Sequence, residues 1–238
     1  MESPRVALIT GGAKRVGCAI VERLAAAGFK VAFTYLSSES EAQSLAKAIG
    51  GLAIRTDLTK PESAVDQVVK VFATFADDLD VLVNSASLYA AADLQQTDVE
   101  LTRQLMAIHV ESPMLLAKHF APRLRRSRGH IINMVDLLAE RPWPQYLAYC
   151  ASKAALANLT LGLARELSPE VTVNGIAPGV VEWPDDYPQA ERETYLKRVP
   201  LARPGTPEDV ASVVRFLTTS GSYVTGQIIR LDGGRSIT

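Results

Sequence analysis

Short apolar runs alternate along this chain with longer stretches of helical period. The runs "RVALIT" (5–10), "KVAFTY" (30–35), "LAIRT" (52–56), "DVLVN" (80–84), "HIINMV" (130–135), "VTVNGIA" (171–177) and "QIIRLD" (227–232) read as strands. Helices are predicted near 15–27, 39–49, 61–76, 99–126, 146–167, 191–198 and 206–219. At "DLTKPES" (57–63), Thr59 is placed to cap a helix whose first turn holds Pro61. Strands apolar throughout are buried on both faces, and strands separated by helices form parallel crossovers. The pattern therefore predicts an α/β fold, one domain over 1–238, with a seven-stranded parallel sheet covered by helices on both faces. The least regular stretch is "APGVVEWPDDYPQAERE" (177–193), and a substrate loop is expected near 180–200.

Composition narrows the classes of function. Of 238 residues, 47% are hydrophobic and 21% charged, with a net charge of −1. No overall basic field argues for nucleic acid or a membrane surface as partner. The uninterrupted apolar runs are too short to span a bilayer, and no basic segment leads into an apolar one at the start. Cys18 and Cys150 form no CxxC pair, and no His/Cys cluster has metal-ligand spacing. A reducing, cytoplasmic setting and no metal are expected.

The turn after the first strand reads "TGGAKRVG" (10–17), with Gly11, Gly12 and Gly17. A glycine turn leading into a helix presents backbone N–H groups to an anion and favours a pyrophosphate. An Asp or Glu at the end of the second strand would bond a ribose 2′-hydroxyl. Here Tyr35, Leu36, Ser37 and Ser38 occupy that place. A 2′-phosphate would meet no carboxylate there and could meet hydroxyls and the cations Lys14 and Arg15. The planar guanidinium suits phosphate, so Arg15 is expected to bind the adenosine-side phosphate of NADPH; the alternative is a solvated side chain on the first helical turn.

"YLAYCASKAAL" (146–156) places Tyr149 and Lys153 one helical turn apart on one face. An ammonium near a phenol favours phenolate and makes Tyr149 a better acid near neutral pH. Cys150 points elsewhere on the helix and is assigned no chemistry.

With these motifs in place, the chain resembles the short-chain dehydrogenase/reductases from end to end. The matching residues are Thr10 to Gly17, "DL" (57–58), "VNSAS" (83–87), Tyr149 and Lys153, "VNGIAPG" (173–179) and "LDGG" (231–234). More narrowly it resembles the pteridine reductases, including the dihydromonapterin reductase type. It has arginine in the turn where glycine is usual, Asp136 where the wider family has serine, and the endings "RVPLARPGTPEDV" and "LDGGRSIT". The resemblance implies a Rossmann fold, NADPH as cofactor, a pterin substrate and a homotetramer built on the helices near 99–126 and 146–167. It implies proton delivery by Asp136, Tyr149 and Lys153. It implies cofactor contacts from Gly11, Lys14, Arg15, Val16, Tyr35, Ser37, Ser38, Asp57, Leu58, Asn84, Ala86, Ser87, Tyr149, Lys153, Pro178 and Gly179.

A flat pterin needs a stacking platform and polar partners at its edge. Tyr89 matches the stacking aromatic of the pteridine reductases. Tyr146 lies one turn before Tyr149, and Trp183 in the proline-rich loop could close over the ligand. Ser87, Asp136 and Tyr149 complete the expected substrate set. Two positions depart from the family. Ser85 replaces the second asparagine of the usual segment after the fourth strand. His109 stands where an asparagine commonly serves a proton relay; it is read either as a relay group or as a packed helix residue. The expected activity is NADPH-dependent reduction of biopterin- or dihydrobiopterin-type pterins, with dihydrofolate as a secondary substrate. The alternatives are a 3-oxoacyl-carrier-protein or other small carbonyl reductase, and a dinucleotide-binding scaffold without turnover.

Overall fold

The structure, a computed structural model, describes residues 4–183 and 187–238. Seven strands form one parallel sheet: β1 (Val6–Thr10), β2 (Lys30–Tyr35), β3 (Leu52–Arg55), β4 (Val81–Asn84), β5 (His130–Met134), β6 (Thr172–Pro178) and β7 (Ile228–Leu231). Their order is β3-β2-β1-β4-β5-β6-β7. The chain winds outward from β1 to β3, then returns to place β4 on the other side of β1. That reversal opens a crevice at the C-terminal ends of β1 and β4, where open α/β sheets bind ligands.

Side-chain alternation decides which layer each strand residue joins. In β1, Ala7 and Ile9 enter one core and Val6 and Leu8 the other. The first core is closed by α1 (Arg15–Ala26), α2 (Glu39–Ile49) and α8 (Pro207–Thr219), through residues such as Ile20, Leu45 and Val214. The second is closed by α3 (Pro61–Phe72), α5 (Ser112–Ser127) and α6 (Leu147–Glu166), through Phe72, Phe120 and Ala164. By length and composition alone, α6 could cross a bilayer. In the fold it is a core helix, with Leu156, Thr160 and Ala164 buried.

Three sequence expectations are corrected. The stretch expected as one helix over 99–126 is α4 (Val99–Met106), a π-helical turn at Ala107–Glu111, then α5. Pro113 supplies the reason: it has no N–H for the carbonyl four residues back, and its ring crowds that carbonyl, which belongs to His109. The helix expected over 61–76 ends at Phe72. Thr59 does not cap it; its hydroxyl and backbone N–H both donate to Asp57 Oδ1, at 2.7 and 3.1 Å, and Lys60 is the N-cap. In the expected substrate loop, α7 (Gln189–Leu196) is described, whereas Pro184, Asp185 and Asp186 lie outside the described residues.

Candidate active site

The crevice is built by two turns fastened together. Thr10 ends β1, and its hydroxyl accepts from the backbone N–H groups of Ser85 (2.9 Å) and Ala86 (3.0 Å), just past β4. Gly11 has φ +67°, and a Cβ there would lie 2.8 Å from Ala86 Cα. A Cβ on Gly17 would lie 2.0 Å from the Gly11 carbonyl oxygen. Both positions need glycine because backbone passes against backbone. Arg15, in the place where glycine is usual, keeps a left-handed φ of 53°. Such a conformation costs a non-glycine residue roughly 1–3 kcal/mol. The N-terminus of α1 has no side-chain cap and no acid in its first turn, so its free N–H groups and positive dipole end face the crevice.

A cleft of about 440 Å³ runs along these turns, lined by thirteen of the sixteen expected cofactor residues: Gly11, Lys14, Arg15, Val16, Tyr35, Asp57, Leu58, Ala86, Ser87, Tyr149, Lys153, Pro178 and Gly179. Three expected residues are absent from its lining. Ser37 is exposed and Ser38 is the N-cap of α2 without a side-chain bond. Asn84 is buried in the sheet, donating from Nδ2 to Asn133 Oδ1 at 2.8 Å. The two cations part company: Lys14 pairs with Glu41 on α2 at 2.8 Å, beside the end of β2, whereas Arg15 Nε meets Glu182 Oε2 at 2.6 Å.

A second cavity of about 410 Å³ adjoins the cleft and shares Arg15, Tyr89, Asp136, Gly179 and Val181 with it. Its walls include the expected Tyr89, Tyr146 and Trp183. They also include Arg141, Trp143, Tyr187, Tyr195 and Arg235, which sequence reading did not single out. Trp143 lies one turn before Tyr146, a spacing that could have found it. Tyr195 and Arg235 arrive from distant α7 and the C-terminal turn and carry no such signal. Tyr89 stacks on Tyr146 (centroids 4.8 Å apart, planes at 28°) and meets Tyr149 edge-on at 4.9 Å.

Tyr149 and Asp136 stand at the junction. The phenol donates to Asp136 Oδ2 at 2.7 Å, and Asp136 Oδ1 accepts the Leu138 N–H at 2.8 Å. Lys153 Nζ donates to the Met134 carbonyl at 2.8 Å and lies 5.7 Å from the Tyr149 ring centroid. Burial, and then the neighbouring Asp136, hold the Tyr149 phenol well above its ordinary value. This corrects the expectation that Lys153 makes the phenol more acidic: the ammonium is engaged by a carbonyl, and the nearest charge is a carboxylate. Burial raises Asp136, opposed by the Leu138 N–H, Tyr149 and Lys153. Lys153 is pushed down to about 8 by burial, with Asp136 opposing.

His109 resolves into a fixed network. Ser152 donates its one hydroxyl proton to the Tyr149 carbonyl (2.7 Å), so it accepts from His109 Nδ1–H (2.8 Å). His109 Nε2 then accepts from the Ser87 hydroxyl at 2.8 Å. Burial, and then Lys153, push His109 down to about 2, so the ring is neutral at working pH. The π-helical turn carries this side chain into the interior, where it packs edge-on against Tyr149 at 5.6 Å.

A cleft at the switch point of a parallel sheet, opening onto a Tyr–Lys pair, defines a class: nucleotide-binding α/β oxidoreductases. A family described as Enoyl-(Acyl carrier protein) reductase matches residues 11–236. Pteridine reductase 1 of Leishmania tarentolae is 33% identical over 98% of this chain and 96% of its own length. A 3-oxoacyl-[acyl-carrier-protein] reductase of Synechocystis is 33% identical over 97% and 96%, and a dihydromonapterin reductase of Klebsiella pneumoniae is 32% identical over 99% and 98%. A short chain dehydrogenase from Burkholderia cenocepacia, solved in complex with NADP, superposes with a TM-score of 0.91 at 33% identity, covering 98% of each chain. This chain belongs to the short-chain dehydrogenase/reductase family.

Proposed function

We propose that this chain is an NADPH-dependent pterin reductase acting on biopterin- and dihydrobiopterin-type substrates, with dihydrofolate as a secondary one. The observation that carries the reading is the Tyr149–Asp136 pair, 2.7 Å apart, where the cleft meets an aromatic-walled cavity. A C=N bond reduced on a ring needs a proton at nitrogen, and an acid held beside a phenol can reload it. The relatives named pteridine and dihydromonapterin reductase support this reading, as the NADP complex of the Burkholderia relative supports the cofactor. The cleft fits a dinucleotide: it runs past the close turn at Gly11 and Gly17, and the first N–H groups of α1 suit a diphosphate. Lys14, the N-cap of α1 paired with Glu41 in the first turn of α2, suits a 2′-phosphate, and Lys153 a ribose hydroxyl.

The nicotinamide, when bound, supplies the hydride. Tyr89 and Tyr146 offer flat faces that orient a planar ring. Tyr149 passes its proton to the developing anion, and Asp136 returns one to Tyr149. General-acid help of this kind is typically worth about 10²–10⁴-fold. Cytoplasmic residence and a homotetramer belong to the same proposal. Met114 on α5 and Leu147 and Leu161 on α6 expose apolar surface on the helices that would meet across the interface.

A second reading, 3-oxoacyl-carrier-protein reductase, is favoured by the Synechocystis relative at equal identity. Against it, Asp136 stands where the wider family has a serine, and ketone reductases use that neutral hydroxyl to hold the carbonyl oxygen. Steady-state NADPH oxidation with dihydrobiopterin and with an acetoacetyl thioester separates the two. Turnover of the pterin with little of the thioester is expected, and the reverse preference would replace the first reading by the second.

A further inference from the structure

We propose that Arg235 and Arg141 form an anion subsite at the far end of the substrate cavity, selecting substrates whose side chain carries a carboxylate or phosphate. The placement of the flat ring rests on the pterin reading; the anion subsite itself rests on the charges around the cavity.

Among the described residues, the cavity is lined by three arginines, Arg15, Arg141 and Arg235, and two acids, Asp136 and Glu182. Arg15 and Glu182 neutralise each other at 2.6 Å. Asp136 is occupied by the Tyr149 phenol and the Leu138 N–H. Arg141 and Arg235 remain. Arg141 donates to the backbone carbonyls of Ser236 and Thr238, which ties it to the C-terminal turn that carries Arg235. The acid beside it in sequence, Glu140, is taken by Arg230 Nε at 2.9 Å. Asp232, in the same turn as Arg235, accepts from the Gly234 N–H (3.0 Å) and the Ser236 N–H (2.7 Å).

Arg235 is left without a carboxylate among the described residues, and its Nε is buried with no acceptor. Its guanidinium carbon lies 5.6 Å from the Tyr195 ring centroid, held over an aromatic face. A buried guanidinium N–H without an acceptor is costly, and a bidentate anion satisfies it best. Aromatic side chains bridge the two ends of the cavity: Tyr146 neighbours Trp143 (6.5 Å), and Trp143 neighbours Tyr195 (6.2 Å). The charges also set direction. The Arg235 guanidinium, held over Tyr195, draws the anionic group to its end of the cavity, so the ring lies at Tyr89 and the charged tail at Arg235.

The test is calorimetry on NADP-loaded protein with three aromatic probes: p-aminobenzoyl-L-glutamate, phenyl phosphate and neutral p-aminobenzamide. Wild type is expected to bind at least one anion more tightly than the amide. Arg235→Gln is expected to weaken that anion about tenfold, the scale of a charge-assisted bidentate contact, and leave the amide unchanged. Arg235→Lys, which keeps the charge, is expected to retain most of the affinity. The anion that loses more in Arg235→Gln tells carboxylate from phosphate. The proposal is overturned if wild type binds the amide as tightly as both anions or binds no anion. It is also overturned if Arg235→Gln weakens all three alike, or if that variant does not fold and Arg235→Lys shows no preference for anions. Failure of the pterin reading looks different: no pterin would oxidise NADPH, while the anion preference and its loss in Arg235→Gln would persist.

Discussion

Tyr149 and Asp136 hold one phenolic proton between them at 2.7 Å, and burial raises both groups. Groups this close titrate as a pair. Burial lets Asp136 keep its proton to higher pH than an ordinary carboxyl, and under the proposed mechanism only the protonated form reloads Tyr149. Single-turnover rates are therefore expected to be highest on the acid side and to fall as pH rises through the raised Asp136 value. In Asp136→Asn that limb should disappear and the rate should drop throughout; a wild-type rate that climbs with pH would contradict the assignment. Tyr149→Phe should bind NADPH with wild-type affinity and lose about 10²–10⁴-fold in kcat; equal loss of binding would make the phenol a structural group. Lys153, pushed down to about 8, carries its charge below that pH. NADPH affinity should weaken above it, as a titration followed by nicotinamide fluorescence would show. His109, bonded at both ring nitrogens, links the Ser87 hydroxyl to Ser152 in one hydrogen-bonded chain.

At the scale of elements, the turn from β1 to α1 shows what a motif can and cannot disclose. The glycines were legible because close backbone approach demands them, and the structure gives the distances. Gly17→Ala would force a Cβ against the Gly11 carbonyl at 2.0 Å. It should lower the melting temperature and weaken cofactor binding together; a variant with wild-type binding would contradict the tight turn. The direction of Arg15 was not legible, because its partner Glu182 lies 167 residues away. The Tyr–Lys spacing showed two side chains on one face of α6 but not the carbonyl of Met134, from β5, that engages Lys153. The break between α4 and α5 was written in "HVESP", where proline follows His109 by four residues. Periodicity alone reads through it because both halves keep apolar faces. Thr59 failed as a cap because Asp57, two residues earlier, captured its hydroxyl.

For the whole molecule, the alternation of strand and helix was enough to anticipate the parallel sheet and hence a crevice at its switch point. The aromatic-walled cavity was half legible. Tyr89, Asp136 and Tyr146 belong to recognisable segments, whereas Tyr195 and Arg235 reach it only through tertiary packing of α7 and the C-terminal turn. The proposed tetramer belongs to this scale. Sedimentation should give four chains, and Leu161→Glu, on the exposed face of α6, should yield smaller species; a monomeric wild type would contradict it. The most direct test of the central claim follows the hydride itself. Dihydrobiopterin is incubated with the enzyme and NADPH deuterated at the transferred position, and the product is analysed by mass spectrometry. The account predicts one deuterium on a ring carbon of the tetrahydropterin. An unlabelled pterin, alongside label carried efficiently into a hydroxyacyl thioester, would contradict it.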